Sequence, residues 1–220
     1  MPDHTQAAIN KQRFHQIARF PNVIGCIDGT LLPIMAPPGA EEPIFVCRKG
    51  YHAINVQAVC DANMRYINAV IRWPGSTHDA FILANSTLPG ILDSTNNGWL
   101  LGDSGYPLKK WLITPLLNVN TEQERRFNEA RMATRCLIER SFALLKARFR
   151  CLHKTGGALP YRPSTCVKII ESCFKLHNMA LDLNLPNPNT DSIVVDNNQE
   201  IVQNCSRDAF EQRRRLTQRF

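Results

Sequence analysis

VIGCIDGT, residues 23–30, is the stretch that decides the fold: a short apolar run that closes on a carboxylate and a glycine. Its composition, broken at Gly29, predicts a buried strand with Asp28 at its end. Two strings downstream answer it. WLLGDSGY (99–106) reads as another apolar strand that ends at Asp103, and NEARMATRCLIERSFALLKARF (128–149) is a helical run with Glu139 near its middle. Each acid alone has a plain structural reading. Asp28 and Asp103 suit turns before a glycine, and Glu139 suits an i,i+4 pair with Arg135 on a solvated helix face. Jointly they say more: two acids on strand ends and one on a helix are what a mixed α/β fold must supply to chelate divalent cations with oxygen ligands. Such cations activate an attacking water and stabilise the leaving oxygen of a phosphodiester. Asp28, Asp103 and Glu139 are therefore the candidate catalytic and metal-ligating residues.

Outward from this stretch the chain alternates in kind. Gln6 to Phe20 predicts a short amphipathic helix halted by Pro21, since the residue before a proline avoids helical geometry. HAINVQAVCD and RYINAVIRW, separated by the turn-like DANM, predict a hairpin. PGSTHDAFILANS predicts a short helix from His78 to Asn85, and WLITPLL a further strand, so the order is β, β, β, α, β, β. Asn118 to Arg150 is the long helix. Ile138, Phe142, Leu145 and Phe149 share one face, while Arg131, Arg135, Glu139 and Lys146 share its neighbour, which sets Glu139 beside the core among cations. A loop, GGALPYRP, precedes a second apolar helix, CVKIIESCFKLHNMALDL. The rest is Pro/Asn-rich and then lacks a clear apolar face. The expected organisation is a lead-in helix over 1–20, one domain over 21–185 and a mobile tail over 186–220.

Composition narrows the class. At 220 residues the chain suits one sizeable domain, and 26 Lys+Arg against 19 Asp+Glu give +7, a balance that favours polyanionic partners. Eight scattered cysteines with no C-x-x-C pair predict reduced core thiols in an intracellular protein. The polar N-terminus resembles no signal peptide, and no apolar run approaches the ~20 residues that span a bilayer, so a soluble, non-secreted protein is expected.

Other titratable residues compete weakly. His52, His78 and His177 share no zinc-ligand spacing, and Cys26 inside an apolar strand suits a core thiol better than a nucleophile based by His78. Asp61 and Asp93 lie in turn-like strings. Asp79 is the one serious rival for a metal, but it stands in the first turn of a predicted helix, where the helix dipole already favours a carboxylate.

Taken together, FPNVIGCIDGT, KGYHAINVQAVCD, RWPGSTHDAFIL, LLGDSGYPL, IERSFALLKARFRCL and FKLHN make the chain resemble the DDE endonuclease domain of PIF/Harbinger transposases over roughly residues 20–180. Members carry Asp, Asp and Glu in this order with a short gap between the last two; here 35 residues intervene. The resemblance implies an RNase H-like fold, a mixed sheet flanked by helices, with Asp28, Asp103 and Glu139 as triad and Mg²⁺ or Mn²⁺ as cofactor. It further implies DNA as substrate, a Myb-like DNA-binding protein as partner, and a nuclear and cytoplasmic location. Members usually carry a helix-turn-helix region ahead of the catalytic domain. This chain starts almost at the first strand, as a fragment, a truncated isoform or a diverged copy would, and reads SFALLK where many members have a glycine after the phenylalanine. Lys146, Arg148, Arg150 and Lys154, near the catalytic helix, are candidate clamps for the DNA backbone. Two further readings stand beside the nuclease: a catalytically idle adaptor that binds a DNA-binding partner, and an RNA-processing RNase H-type hydrolase.

Overall fold

A computed structural model describes residues 1–191 and 206–220 of the protein. Helix α1 (His4–Ala18) opens at Asp3, whose carboxylate accepts the Gln6 amide at 2.8 Å. It closes where Arg19 turns left-handed (φ 57°), two residues ahead of Pro21. Strands β1 (Val23–Pro33), β2 (Ala53–Cys60) and β3 (Tyr66–Pro74) form an antiparallel meander. After α2 (Asp79–Ala84) and α3 (Leu88–Thr95), the short strands β4 (Trp99–Leu101) and β5 (Leu112–Ile113) extend the sheet in parallel. The order is β3-β2-β1-β4-β5. This mixed five-stranded sheet flanked by helices has the RNase H-like arrangement that the sequence predicts.

Side chains alternate across the sheet, so each strand feeds two cores. Val23, Cys26, Leu101 and Ile113 face α4 (Glu122–Arg148) and α5 (Pro163–Asp182), where Phe127, Ile138, Phe142, Leu145 and Phe174 are buried. Ile24, Ile27, Leu100 and Leu112 face the other way, against Leu83, Leu88 and Leu92. Helix α4 starts with a reciprocal capping box between Thr121 and Glu124, which satisfies two otherwise orphaned amides. Seven cysteines are described; all are free, and Cys26, Cys47, Cys60, Cys166 and Cys173 are buried. Among the described residues no helix is long and apolar enough to cross a membrane.

Three expectations need correction. Asp28 does not end its strand: β1 runs on to Pro33, because Thr30, Leu31 and Leu32 keep pairing with β2. The downstream strands are shorter than their apolar strings, β4 stopping two residues before Asp103 and WLITPLL contributing only Leu112 and Ile113. The C-terminal segment does have an apolar face. Helix α6 (Arg207–Thr217), capped by Ser206, buries Ala209 and Leu216, and the Phe220 ring lies 5.4 Å from that of Phe20 and 5.7 Å from that of Phe127. Positions 209, 213, 216 and 220 follow helical spacing, but Arg213 fills one of them, which hides the stripe. Its guanidinium donates to the Pro115 carbonyl at 2.9 Å instead of facing water. The remainder of the expected mobile tail, residues 192–205, lies outside the described residues.

Candidate active site

Strand register brings the two aspartates together. Cys26 pairs with Leu101 across the parallel β1–β4 ladder, and Asp28 and Asp103 each lie two residues further on. An even step along β1 keeps Asp28 on the face of Cys26, the face covered by α4, and Asp103, beyond the end of β4, is near enough to feel the charge of Arg135 on that helix. From α4 comes Arg135, whose Nη1 donates to Asp28 Oδ2 at 2.8 Å and whose Nη2 donates to Glu139 Oε1 one turn along the helix. Glu139 is thus the i,i+4 partner of Arg135, but on no solvated face: the Arg135, Glu139 and Asp28 side chains are 9%, 14% and 16% exposed. One turn earlier Arg131 is buried, and its Nη1 donates to the Gly102 carbonyl at 2.7 Å, next to Asp103.

The charges in this cleft are in tension. Burial pushes the Asp28 carboxyl up to about 7 against the pull of Arg135, and the neighbouring charge of Asp103 adds to the rise. Burial likewise lifts Asp103 to about 6, opposed by Arg135 and reinforced by Asp79. Burial pulls the Arg135 guanidinium down, but Asp28, Glu139 and Asp103 outweigh it and hold it above its usual range. Arg131, with burial and the like charge of Arg135 against it, falls to about 10.

Asp79 lies on the other side of the sheet. A side chain at Gly29 would point opposite to Asp28, and a Cβ there would meet Asp79 Oδ2 at 2.7 Å, so only glycine leaves room for this carboxylate. Asn55 Nδ2 donates to Asp79 Oδ1 at 3.1 Å and Gln57 Nε2 to the Asp79 backbone carbonyl at 3.0 Å. Gln57 also donates to the buried Tyr106 hydroxyl at 3.1 Å. Asp79 is therefore received by a side-chain amide at the start of α2.

The remaining candidates have structural roles. Asp61 accepts the Asn63 and Arg65 amides in the β2–β3 turn, and Asp93 accepts from Trp111 Nε1 at 2.6 Å. Burial pushes the Cys26 thiol far up, and its sulfur donates to the Thr134 carbonyl at 3.5 Å, which suits packing. His177 packs its ring at a tilt against Tyr66, and His52 pairs with Glu42. Of the candidate phosphate clamps, Lys146 is withdrawn. It is buried near the end of α4, and a buried side chain is not presented to a DNA backbone. Arg148 is half-buried and donates to Asn187 at 3.2 Å, whereas Arg150 and Lys154 are exposed.

Sequence reasoning grouped Arg135 with Glu139 but missed its bridge to Asp28. The helical spacing signalled the first contact, and no local pattern could signal the second, 107 residues away. Asn55 and Gln57 were missed altogether. Their signal is two amides at alternate positions of a strand that is otherwise apolar.

Three carboxylates form an oxygen-only donor set, the chemistry of Mg²⁺ or Mn²⁺. Their spacing in this conformation is different: among the described residues no three of Asp, Glu, His or Cys gather to hold one ion. Arg135 stands between two of the acids.

An RNase H-like sheet with acids on its central strand, after the next strand and on the covering helix is the plan of a transposase-type nuclease domain. A family model described as DDE superfamily endonuclease matches residues 27–178, and the chain belongs to this family. It is 41% identical over 174 residues to "Putative nuclease HARBI1" of Mus musculus, covering 78% of this chain and 50% of that protein. The counterpart in Xenopus laevis is 35% identical, over 80% of this chain and 51% of that one. "Protein ALP1-like" of Arabidopsis thaliana is 30% identical over 79% and 46%. The chain thus spans about half the length of the curated relatives it matches. No solved structure matches it.

Proposed function

We propose that the protein is a metal-dependent DNA endonuclease of transposase descent, with Asp28, Asp103 and Glu139 as its catalytic carboxylates. One observation carries this reading. Acids from β1, the segment after β4 and α4 share one buried guanidinium, Arg135, which pairs with Asp28 and Glu139 and feels the charge of Asp103, while burial, with help from neighbouring acids, lifts Asp28 and Asp103 towards neutrality. A fold keeps like charges together at such cost mainly where a function uses them. The three carboxylates would hold Mg²⁺ or Mn²⁺, which supplies Lewis acidity towards the phosphate oxygens and a more acidic bound water.

The chain's own groups do the rest. β1 carries Asp28 and the segment after β4 carries Asp103, each two residues beyond the Cys26–Leu101 pair, and α4 contributes Glu139, so that the three would address one scissile phosphate. Gly29 N–H donates to Asp28 Oδ1 at 2.8 Å and Gly105 N–H to Asp103 Oδ1 at 3.0 Å, which fixes the orientation of each carboxylate. Arg131, tied to the Gly102 carbonyl, holds the segment leading to Asp103 against α4. Arg150 and Lys154 offer phosphate contacts without sequence preference, and Asp79, on the opposite face, raises Asp103 through its charge without joining the three carboxylates. The nucleophile is water or a DNA 3′-hydroxyl. A nuclear location, with some protein in the cytoplasm, belongs to the same reading.

Calorimetric titration of Mn²⁺ into wild type and Asp28→Asn, with cleavage of duplex DNA measured in parallel, tests it. Binding and cleavage in wild type that both vanish in the variant support the proposal. Absence of Mn²⁺ binding to the wild type overturns it in favour of a second reading, an adaptor that keeps the fold to bind a Myb-like DNA-binding protein. The observation favouring the adaptor is Arg135, which already neutralises Asp28 and Glu139. Among the relatives, one from Arabidopsis thaliana is named "Antagonist of like heterochromatin protein 1", a name that describes opposition to another protein and not cleavage.

A further inference from the structure

We propose that Arg135 is the resident cation of the acid cluster, and that a divalent cation binds only when this guanidinium gives up Asp28 and Glu139. The inference rests on the metal-dependent reading above and goes beyond it, because it assigns a second state to a residue outside the triad.

The oxygens themselves show the competition. Asp28 Oδ1 is taken by the Gly29 amide at 2.8 Å, so Oδ2 is the oxygen that faces outward for a ligand, and Arg135 Nη1 has it at 2.8 Å. Glu139 Oε1 is held by Nη2 of the same guanidinium. A guanidinium is planar and forked, which lets one group bridge two carboxylates from different elements, as a metal ion would. It cannot share them with a metal, since a divalent cation at these oxygens would sit against a like charge in a cleft with little water to screen it.

Arg135 is also built to leave. Its Nε has no hydrogen-bond partner among the described residues, so the two carboxylates are its anchors. The Nε of Arg131, one turn away, is likewise unpartnered, but the anchor of that residue is of another kind. Its Nη1 is fastened to the Gly102 backbone carbonyl at 2.7 Å, a partner that no metal contests. Of the two buried arginines on this face, one clamps the backbone and the other holds a place.

The test is Mn²⁺ affinity by calorimetry on wild type, Arg135→Gln and Arg135→Lys. Loss of the competing cation is expected to tighten Mn²⁺ binding about tenfold in Arg135→Gln, with Arg135→Lys in between because one ammonium does not bridge both carboxylates. If Arg135→Gln folds but binds Mn²⁺ no better than wild type, Arg135 orients the acids and the inference falls. Because removing a buried cation can prevent folding, wild type is also titrated with Mg²⁺ while the side-chain ¹⁵N resonances of Arg135 and Arg131 are followed. Arg135 is expected to shift and Arg131 to stay, and an unmoved Arg135 at saturation overturns the proposal. Mn²⁺ binding that is lost in Asp28→Asn but unchanged in Arg135→Gln removes this inference alone. No Mn²⁺ binding in any of these proteins removes the endonuclease reading with it.

Discussion

Asp28 and Asp79 occupy opposite faces of the same sheet, and they live under different rules. Asp79 has a neutral partner in Asn55 and a space shaped for it by the missing side chain of Gly29. Asp28 feels the charges of Arg135, Asp103 and Glu139, and is pushed up to about 7. An acid given an amide and room is a structural element. An acid crowded by acids and held by a guanidinium is the one proposed here to work on a substrate. Both begin in equally patterned sequence, so the contrast arises from what the fold sets opposite each of them.

The widest separation between the two should appear in metal binding. Asp28→Asn is expected to remove the rise in melting temperature produced by Mn²⁺, with an affinity loss beyond the ~100-fold typical of an outer partner. Asp79→Asn should keep a rise of the same sign. If Asp79→Asn abolishes it and Asp28→Asn does not, the two faces have been assigned the wrong way round.

Stability should show the reverse order. Asn55→Ala strips Asp79 of its amide in a buried setting and is expected to cost about 1.5–3 kcal/mol in urea unfolding. Gly29→Ala sets a methyl 2.7 Å from Asp79 Oδ2 and should cost about 1–3 kcal/mol. A neutral outcome for both would mean that the Asp79 pocket is loose and its glycine dispensable.

Dependence on pH belongs to the Asp28 face. Asp28 and Asp103, raised from 3.8 to about 7 and about 6, hold protons in the folded state that the unfolded chain has released. Metal-free stability should therefore be highest below pH 4 as far as these two groups are concerned, fall as pH rises to 7, and level off above. The Mn²⁺-induced gain should run the other way, growing up to pH 7, because the ion needs both carboxylates ionised. Thermal unfolding across this range, with and without Mn²⁺, checks both signs.

The smallest effect is expected at the rim. Replacing the exposed Arg150 and Lys154 with glutamine should lower the slope of log affinity for duplex DNA against log salt by about 0.9 for each phosphate no longer neutralised. Lys146→Gln, at a buried position, should change stability and leave the slope alone.

Local sequence determined a good deal here. The strands and helices follow from apolar periodicity and punctuation: Pro21 after α1, the DANM turn between β2 and β3, the capping box of α4 and the face of Ile138, Phe142 and Leu145. The candidate triad was picked out because each acid closes or interrupts an apolar pattern in the sequence, although β1 continues past Asp28 and β4 stops before Asp103. Tertiary structure decided the rest, wherever the partner is remote. That Asp28 stands mid-strand depends on the continued pairing of β1 with β2, and the docking of α6 on a stripe interrupted by Arg213 depends on carbonyls at Thr114 and Pro115. Arg135 is the clearest case: its contact with Glu139 is written in a spacing of four, and its contact with Asp28 exists only because α4 lies across β1. Periodicity reports on neighbours within a turn or a pleat, whereas charge acts through space, so the state of this acid cluster could be known only once the sheet and helix were set against each other.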